Sequence, residues 1–186
     1  MVPLNVPNVL TVIRILLVPV LVVALLEKTD GGDLLAAIVF ATASFTDAID
    51  GYLARSRNWV TTFGKLMDPI ADKLLIVAAL IALVSLARLD AWVAMVIIAR
   101  EFAVTVLRVA AGAGQGVVIS ASLFGKAKTA LQVAMVMALI AVHPHPVWVS
   151  ALVYVTVLVT VLSGADYFFG LSRRRVEPGS PAGVSH

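Results

Sequence analysis

The sequence predicts an all-α integral membrane protein, a bundle of six transmembrane helices with both termini in the cytoplasm. Of its 186 residues 61% are hydrophobic and 13% charged, and the mean hydropathy is +1.02, outside the usual range of soluble globular domains. Apolar windows able to cross a hydrocarbon core, about 20 residues each, recur along the chain. Basic residues concentrate at alternate connections between these windows. We therefore expect one membrane domain at 1–172 and a basic, disordered cytoplasmic tail at 173–186.

The first three helices are predicted from long apolar windows. Residues 9–26 form a window that is too long for a signal-peptide core and lacks a small-residue cleavage site. We expect a retained helix there, preceded by a short surface segment. Residues 34–47 form the second window and residues 66–86 the third, and each has acidic residues at one end.

The last three helices are predicted at 91–111, 123–142 and 147–170. The glycine-rich stretch AGAGQG at 111–116 has neither the spacing nor the strand context of a nucleotide-binding loop, so we expect it to break the helix. Cysteine is absent, which excludes disulfides and cysteine metal sites.

Basic residues predict the orientation of the bundle. The connections EKTDGGD, ARLD and HPHP, after the first, third and fifth windows, carry few of them. Because Lys and Arg mark cytoplasmic loops, both termini and the other connections are expected in the cytoplasm, and His143 and His145 are expected to be loop residues on the opposite side. The sequence has no basic stripe on a soluble domain, so its basic residues do not indicate nucleic-acid binding. Five further basic residues are assigned to topology and to contact with anionic lipids: Arg57, Lys65 and Arg173 to Arg175.

Four aspartates interrupt the apolar pattern in TDAIDGYLARSRNWVTTFGKLMDPIADK, residues 46–73. Asp47 and Asp50 are three residues apart, and Asp68 and Asp72 four apart, so each pair lies on one face of a helix, about 60° and 40° apart. A charged residue at mid-membrane costs about 2.5–3.5 kcal/mol on insertion scales. Four carboxylates without His or Cys suit two hard cations, Mg²⁺ or Mn²⁺, and such a pair suits phosphoryl chemistry on a diphosphate.

Small and basic residues beside the aspartates fit the same chemistry. Gly51 and Ala54 lack bulk and leave room for a substrate, and Arg55 has a planar fork that suits phosphate. A lone DxxDG at a helix end also fits a cap. The whole pattern, DAIDGYLAR followed after eight residues by GKLMDPIAD, is far more specific.

This pattern resembles the CDP-alcohol phosphotransferase family, whose signature DxxDGxxARx(8)GxxxDxxxD is matched in full. The resemblance implies a six-helix bundle, usually a homodimer, in which an alcohol attacks a CDP-linked donor and CMP leaves. It implies that Asp47, Asp50 and Asp68 bind two metal ions, while Asp72 helps to bind metal and acts as the general base. The residues that match the signature are Asp47, Asp50, Gly51, Ala54, Arg55, Gly64, Asp68 and Asp72.

Other segments between residues 5 and about 170 extend the resemblance. NVPNVLTVIR, AREFAVTVLR, GKAKTALQ and SGADYF are similar to members that transfer a phosphatidyl group from CDP-diacylglycerol to glycerol 3-phosphate. Members that use phosphatidylglycerol share the first segment, so phosphatidylglycerol and inositol phosphate stay open as acceptors. The resemblance implies an active site on the cytoplasmic face of a bacterial plasma membrane, where donor acyl chains meet lipid and the nucleotide meets water.

An acceptor phosphate needs cationic side chains, because the metal ions are occupied by the donor diphosphate. The candidates are Arg14, Arg100, Arg108, Lys126 and Lys128. Arg14 and Arg100 lie inside apolar windows, where an arginine is rare unless it faces a partner or a water-filled cavity. Lys126 and Lys128 also fit a topological role.

Polar residues near these cations have plainer interpretations. Glu101 and Asp166 are expected to be structural. Asn8 and Thr11 lie one turn apart and are candidates for donor contact, although Asn8 also fits a helix cap.

An ion-coupled transporter is the rival class, since intramembrane aspartates and arginines also mark ion pathways. The acidic residues cluster at one membrane face, and paired discontinuous helices of the kind found at transport sites are not evident in the sequence. The pattern therefore favours an enzyme.

Overall fold

The computed structural model describes residues 6–27, 31–57, 62–115 and 123–175, and all regular structure in these ranges is helical. Side chains are described at 9–27, 31–46, 70–71, 73–107 and 127–165. Six helices follow one another, which confirms the all-α class and the predicted order of elements. They are α1 (Val6–Leu26), α2 (Gly32–Arg57), α3 (Thr62–Ser85), α4 (Ala91–Gln115), α5 (Leu123–Ala141) and α6 (Val147–Arg175).

Several helices are longer than the apolar windows that predict them. α2 continues past Asp47 to Arg57, and α6 continues to Arg175. Arginines at the end of α6 are favourable there, because the C-terminus of a helix carries partial negative charge. α4 reaches Gln115, so the glycine-rich stretch does not end the helix at residue 111. Hydropathy detects only the apolar part of a helix, whereas backbone hydrogen bonding continues through polar residues with adequate helix propensity. The disordered tail was predicted to begin at residue 173, but residues 173–175 belong to α6; the rest of the predicted tail lies outside the described residues.

The N-terminal boundary also differs from the prediction. α1 begins at Val6, so residues 6–8 are helical and only residues 1–5, which lie outside the described part, remain for a surface segment. Asn8 is the third residue of α1 rather than its cap.

The surface of the bundle is strongly apolar. Windows long and apolar enough to cross a membrane occur at Val9–Leu26 in α1 and Val147–Ala165 in α6. Large apolar side chains such as Leu34, Phe45 and Met95 are exposed on other helices. Contiguous exposed apolar surface is rare on soluble monomers. These features are those of a helical membrane protein.

Helix packing places α1 between the two helices that carry the aspartates. Among the described residues, α1 packs extensively against both α2 and α3, whereas α2 and α3 contact each other much less. α5 packs against α2 and α6, and α4 packs against α6 and α3. The fully buried core includes Phe40, Leu80 and Ile97.

An ion pair joins α2 to the loop after α3 at the end of the bundle opposite the aspartates. The guanidinium of Arg88, after α3, donates from Nη1 to Asp33 Oδ1 at 2.7 Å and from Nη2 to Oδ2 at 2.9 Å. Asp33 lies in the first turn of α2. A rise of 1.5 Å per residue puts Asp47 about 21 Å further along this helix. His143 and His145, with ring centroids 4.4 Å apart, follow α5 in the loop where we expected them.

We expect the Asp33–Arg88 pair to lose its contribution to stability in acid. The hydrogen bonds from Arg88 hold the pKa of Asp33 below its ordinary value of 3.8. Its contribution is therefore present above pH 3.8 and is lost as the pH falls through the lower, folded-state pKa. Because the Asp33 side chain is 43% exposed, we expect at most about 1 kcal/mol. Thermal unfolding should show that the stability difference between wild type and Asp33→Asn becomes smaller below pH 3.8. A difference that does not change with pH would contradict the prediction.

Two buried threonines on α6 make a matched pair. Thr156 and Thr160 are both 0% exposed. Thr156 Oγ1 donates to the carbonyl of Leu152 at 2.7 Å, whereas Thr160 Oγ1 has no hydrogen-bond partner among the described residues. An unsatisfied buried hydroxyl costs about 1–3 kcal/mol. The two positions should therefore respond in opposite directions to the same substitution.

Thr160→Val is expected to raise the free energy of unfolding by about 1 kcal/mol, because it removes a hydroxyl that gains nothing. Thr156→Val should lower it by a similar amount, since it removes a hydrogen bond. Thermal unfolding of both variants in the same detergent is the measurement. Shifts in the same direction would contradict the assignment.

Candidate active site

Asp47 and Asp50 continue the buried stripe of α2. Ala36, Phe40 and Ala43 are each fully buried on this helix. At 100° per residue, positions 47 and 50 fall within about 40° of the same line. The signature residues Gly51, Ala54 and Arg55 lie further along α2. The side chains of all five signature residues on this helix lie outside the described part of the structure, so their contacts stay predictions.

Asp68 and Asp72 continue the buried stripe of α3. Leu75, Ala79 and Ala82 form its buried stripe, and positions 68 and 72 continue that stripe toward the N-terminus of the helix. Gly64 lies in the first turn of α3. The side chains of these three signature residues also lie outside the described part. By helical register, both aspartate pairs extend faces that are buried further along the bundle.

α1 contributes two buried polar side chains at the same end. Thr11 and Arg14 are each 1% exposed, although they lie within an apolar span. Arg14 therefore faces protein rather than lipid, and its role at the acceptor phosphate stays a prediction. Because α1 packs against both aspartate-bearing helices, these two side chains lie within the bundle. The side chain of Asn8 lies outside the described part.

A polar network joins α4 to α5 through Glu101. Oε1 of Glu101 accepts a hydrogen bond from Nζ of Lys128, another from Nε2 of Gln132 at 3.3 Å, and a long contact from Nη1 of Arg100 at 3.5 Å. Lys128 is 5% exposed and Gln132 3%. A buried ammonium is stable only when paired and hydrogen-bonded, and Glu101 provides that partner.

α6 completes the network through Arg100. Nη2 of Arg100 donates to Oγ of Ser163 at 2.6 Å. The next residue is Gly164, and a Cβ built there would lie 3.3 Å from Cγ of Arg100. Only glycine leaves the Arg100 side chain its full room on this face of α6.

The structure thus brings together two of the five cations predicted for the acceptor, Arg100 and Lys128. Glu101, predicted to be structural, contacts both. No role was predicted for Gln132 or Ser163. Both lie in segments that extend the family resemblance, GKAKTALQ and SGADYF, and Gln132 follows Lys128 by one helical turn. Side chains outside the described part are those of Arg108, Lys126, Asp166 and the cations assigned to topology, Arg57, Lys65 and Arg173 to Arg175.

Among the described side chains, no cluster of three or more metal-binding residues occurs. The four aspartates do not belong to that set, because their side chains are outside it. Metal binding by these residues is therefore argued from donor chemistry and helical register.

Comparison with known proteins indicates the same family as the signature residues. Residues 4–162 match the family model for CDP-alcohol phosphatidyltransferase. A Bacillus subtilis (strain 168) protein named CDP-diacylglycerol–glycerol-3-phosphate 3-phosphatidyltransferase is 43% identical over 182 residues, which covers 88% of this chain and 93% of the relative.

Two further relatives have similar coverage. A Mycobacterium tuberculosis (strain ATCC 25618 / H37Rv) protein named probable phosphatidylglycerophosphate synthase is 43% identical over 168 residues, 88% of this chain and 79% of the relative. A Wigglesworthia glossinidia brevipalpis protein with the same name as the Bacillus protein is 31% identical over 172 residues, 89% of this chain and 94% of the relative.

Proposed function

Because this chain belongs to the CDP-alcohol phosphatidyltransferase family, we propose that it transfers the phosphatidyl group of CDP-diacylglycerol to glycerol 3-phosphate, giving phosphatidylglycerol phosphate and CMP. The chain is a phosphatidyltransferase. The names of relatives that align with about nine-tenths of it support glycerol 3-phosphate as the acceptor. The structural observation that carries the proposal is the register of Asp47, Asp50, Asp68 and Asp72 on the buried stripes of α2 and α3.

Four aspartates on the buried stripes of α2 and α3 would suit two divalent cations. Their donor atoms are all carboxylate oxygens, which Mg²⁺ and Mn²⁺ prefer. Asp47, Asp50 and Asp68 would hold the ions, and Asp72 would contribute to one of them. Bound there, the ions would neutralise the donor diphosphate and stabilise the attacking oxygen of the acceptor and the leaving oxygen of CMP.

Asp72 is suited to accept the proton of the acceptor hydroxyl. It lies one turn beyond Asp68 toward the buried residue Leu75, and therefore toward the interior of the bundle. As the 1-hydroxyl oxygen of glycerol 3-phosphate bonds to the phosphorus that carries diacylglycerol, its proton passes to the Asp72 carboxylate. The bond from that phosphorus to the bridging oxygen breaks, and CMP leaves with the electron pair.

Arg100 and Lys128 are suited to hold the phosphate of the acceptor. Both cations contact the same carboxylate oxygen, Oε1 of Glu101, so they lie close together. A phosphate group bound beside them would accept charge-assisted hydrogen bonds from both. Arg14, Arg108 and Lys126 are further candidates for this subsite.

The donor would bind along α2 and α1. Gly51 and Ala54 leave space beside the aspartates, Arg55 supplies a fork for phosphate, and Thr11 is buried on the neighbouring face of α1. Gly64 and Asn8 are the remaining candidates. This arrangement suits six spans with both termini in the cytoplasm of a bacterium, so that the acyl chains stay in lipid and the nucleotide in water. The family resemblance further suggests a homodimer.

CMP release tests the function directly. We expect the purified protein to release CMP from CDP-diacylglycerol when both glycerol 3-phosphate and Mg²⁺ or Mn²⁺ are present, and EDTA should abolish the release. Phosphatidylglycerol, inositol phosphate and serine serve as competing acceptors in parallel reactions. Release with one of these instead would reassign the acceptor, and no release with any acceptor would refute the enzyme.

A further inference from the structure

Glu101 is the shared partner in the network between α4, α5 and α6. Its Oε1 contacts donors from Arg100, Lys128 and Gln132. These donors come from three side chains on two helices, and Arg100 in turn reaches Ser163 on a third. Glu101 itself is anchored on α4, where its carbonyl accepts a hydrogen bond from Thr105 Oγ1 at 2.7 Å.

Electrostatics gives this carboxylate a task beyond holding helices together. The cations of Arg100 and Lys128 repel each other, and repulsion is much stronger in a buried site than in water. The Lys128 ammonium is also a compact charge on a flexible four-carbon stem. A carboxylate between the two cations offsets their repulsion and fixes the direction of the lysine stem.

The Lys128 ammonium can make more hydrogen bonds than the one to Glu101. An ammonium has three N–H donors, and within the described part of the chain one of them is assigned, to Glu101. Gln132, one turn later on α5, donates to the same oxygen of Glu101 and so limits the movement of the carboxylate.

We propose that Glu101 is a positioning residue for the acceptor, which holds the Lys128 ammonium and the Arg100 guanidinium side by side so that both bind one phosphate group. This role rests on the proposed function, because the phosphate is that of glycerol 3-phosphate. Ser163 supports the same arrangement from α6 by fixing Arg100. The opposite role, in which Glu101 competes with the phosphate for Lys128, predicts the opposite change in acceptor affinity.

The test separates the Michaelis constants of the two substrates. Glu101→Gln keeps the shape and removes the charge, so KM for glycerol 3-phosphate should rise about tenfold or more, the effect of a lost charge-assisted hydrogen bond. KM for CDP-diacylglycerol should stay within about twofold of wild type. Glu27→Gln, at the end of α1 away from the network, is the matched control and should change neither constant.

Two further variants keep the proposal testable if Glu101→Gln folds poorly. Ser163→Ala removes the 2.6 Å hydrogen bond to Arg100 and should raise KM for glycerol 3-phosphate alone, about threefold or more. Adding Glu101→Gln to Lys128→Met should raise it much less than adding Glu101→Gln to wild type, because residues that act through one partner are not additive.

The outcomes distinguish this role from the function on which it rests. Wild-type protein that shows no turnover with glycerol 3-phosphate would refute both. If wild-type turnover is normal, the behaviour of Glu101→Gln decides the role of Glu101 alone. An acceptor KM that is unchanged or lower, or a KM that rises equally for both substrates, would refute that role. A selective rise in the acceptor KM, absent in Glu27→Gln, supports it.

Discussion

Asp72→Asn is expected to lower kcat by about 10²–10⁴-fold, the usual contribution of a general base. The amide has nearly the shape of the carboxylate but cannot take the proton of the attacking hydroxyl. The loss should therefore appear in kcat at saturating substrates, measured as CMP release. Mn²⁺ binding, measured separately on the same protein, should be weakened only in part.

Asp33→Asn is the matched control for this prediction. It makes the same chemical change at the far end of α2, where Asp33 pairs with Arg88, and kcat should stay close to wild type. Near-normal kcat in Asp72→Asn with metal binding retained would show that another group accepts the proton.

Asp50→Asn is expected to lower kcat/KM by about 10³-fold or more at moderate metal concentration. Metal ions supply several kcal/mol of charge stabilisation in such reactions, and each 1.36 kcal/mol is tenfold in rate. Because Asp50 is proposed as a ligand rather than a base, raising the Mn²⁺ concentration should recover part of the activity. The same titration should recover much less in Asp72→Asn.

The difference between the two titrations carries this second prediction. Activity in Asp50→Asn that equals wild type at low Mn²⁺ would remove Asp50 from the metal site. A loss in Asp50→Asn that Mn²⁺ does not relieve at any concentration would also count against a ligand role. Asp33→Asn is again the control for an aspartate outside the site.

Hydropathy predicted the number and order of the helices well, because apolar windows reflect the lipid that surrounds them. The same signal stopped short at the polar ends. α2 carries DGYLARSR beyond its apolar window and α6 carries three arginines, and both segments are helical. An apolar window contains no information about where backbone hydrogen bonding ends, so these boundaries differed from the prediction.

The site was predictable where charge is unusual in its setting. Arg100 was identified because an arginine inside an apolar span is rare unless it faces a partner or a water-filled cavity. Lys128 was one candidate for the acceptor phosphate and also fitted a topological role, and the structure brings the two together at Glu101. The roles of Ser163 and Gln132 were not predicted, although both lie in segments of the family resemblance, because neutral polar residues are common in helices and only tertiary packing shows what they contact. The roles of the aspartates follow from register and family membership and stay predictions.

The position of α1 has a consequence for the evolution of the site. α2 and α3 each pack mainly against α1 rather than against each other, so α1 sets the spacing of the two helices that carry the aspartates in the described part of the bundle. Apolar residues of α1 such as Leu17 and Val18, which pack against the core within about one turn of Arg14, touch no substrate in the proposed mechanism. A change in their volume would nevertheless alter the spacing of α2 and α3 toward the end that carries the aspartates. Variation in α1 is thus a route by which related enzymes could acquire different preferences between Mg²⁺ and the larger Mn²⁺ without any change in the ligands.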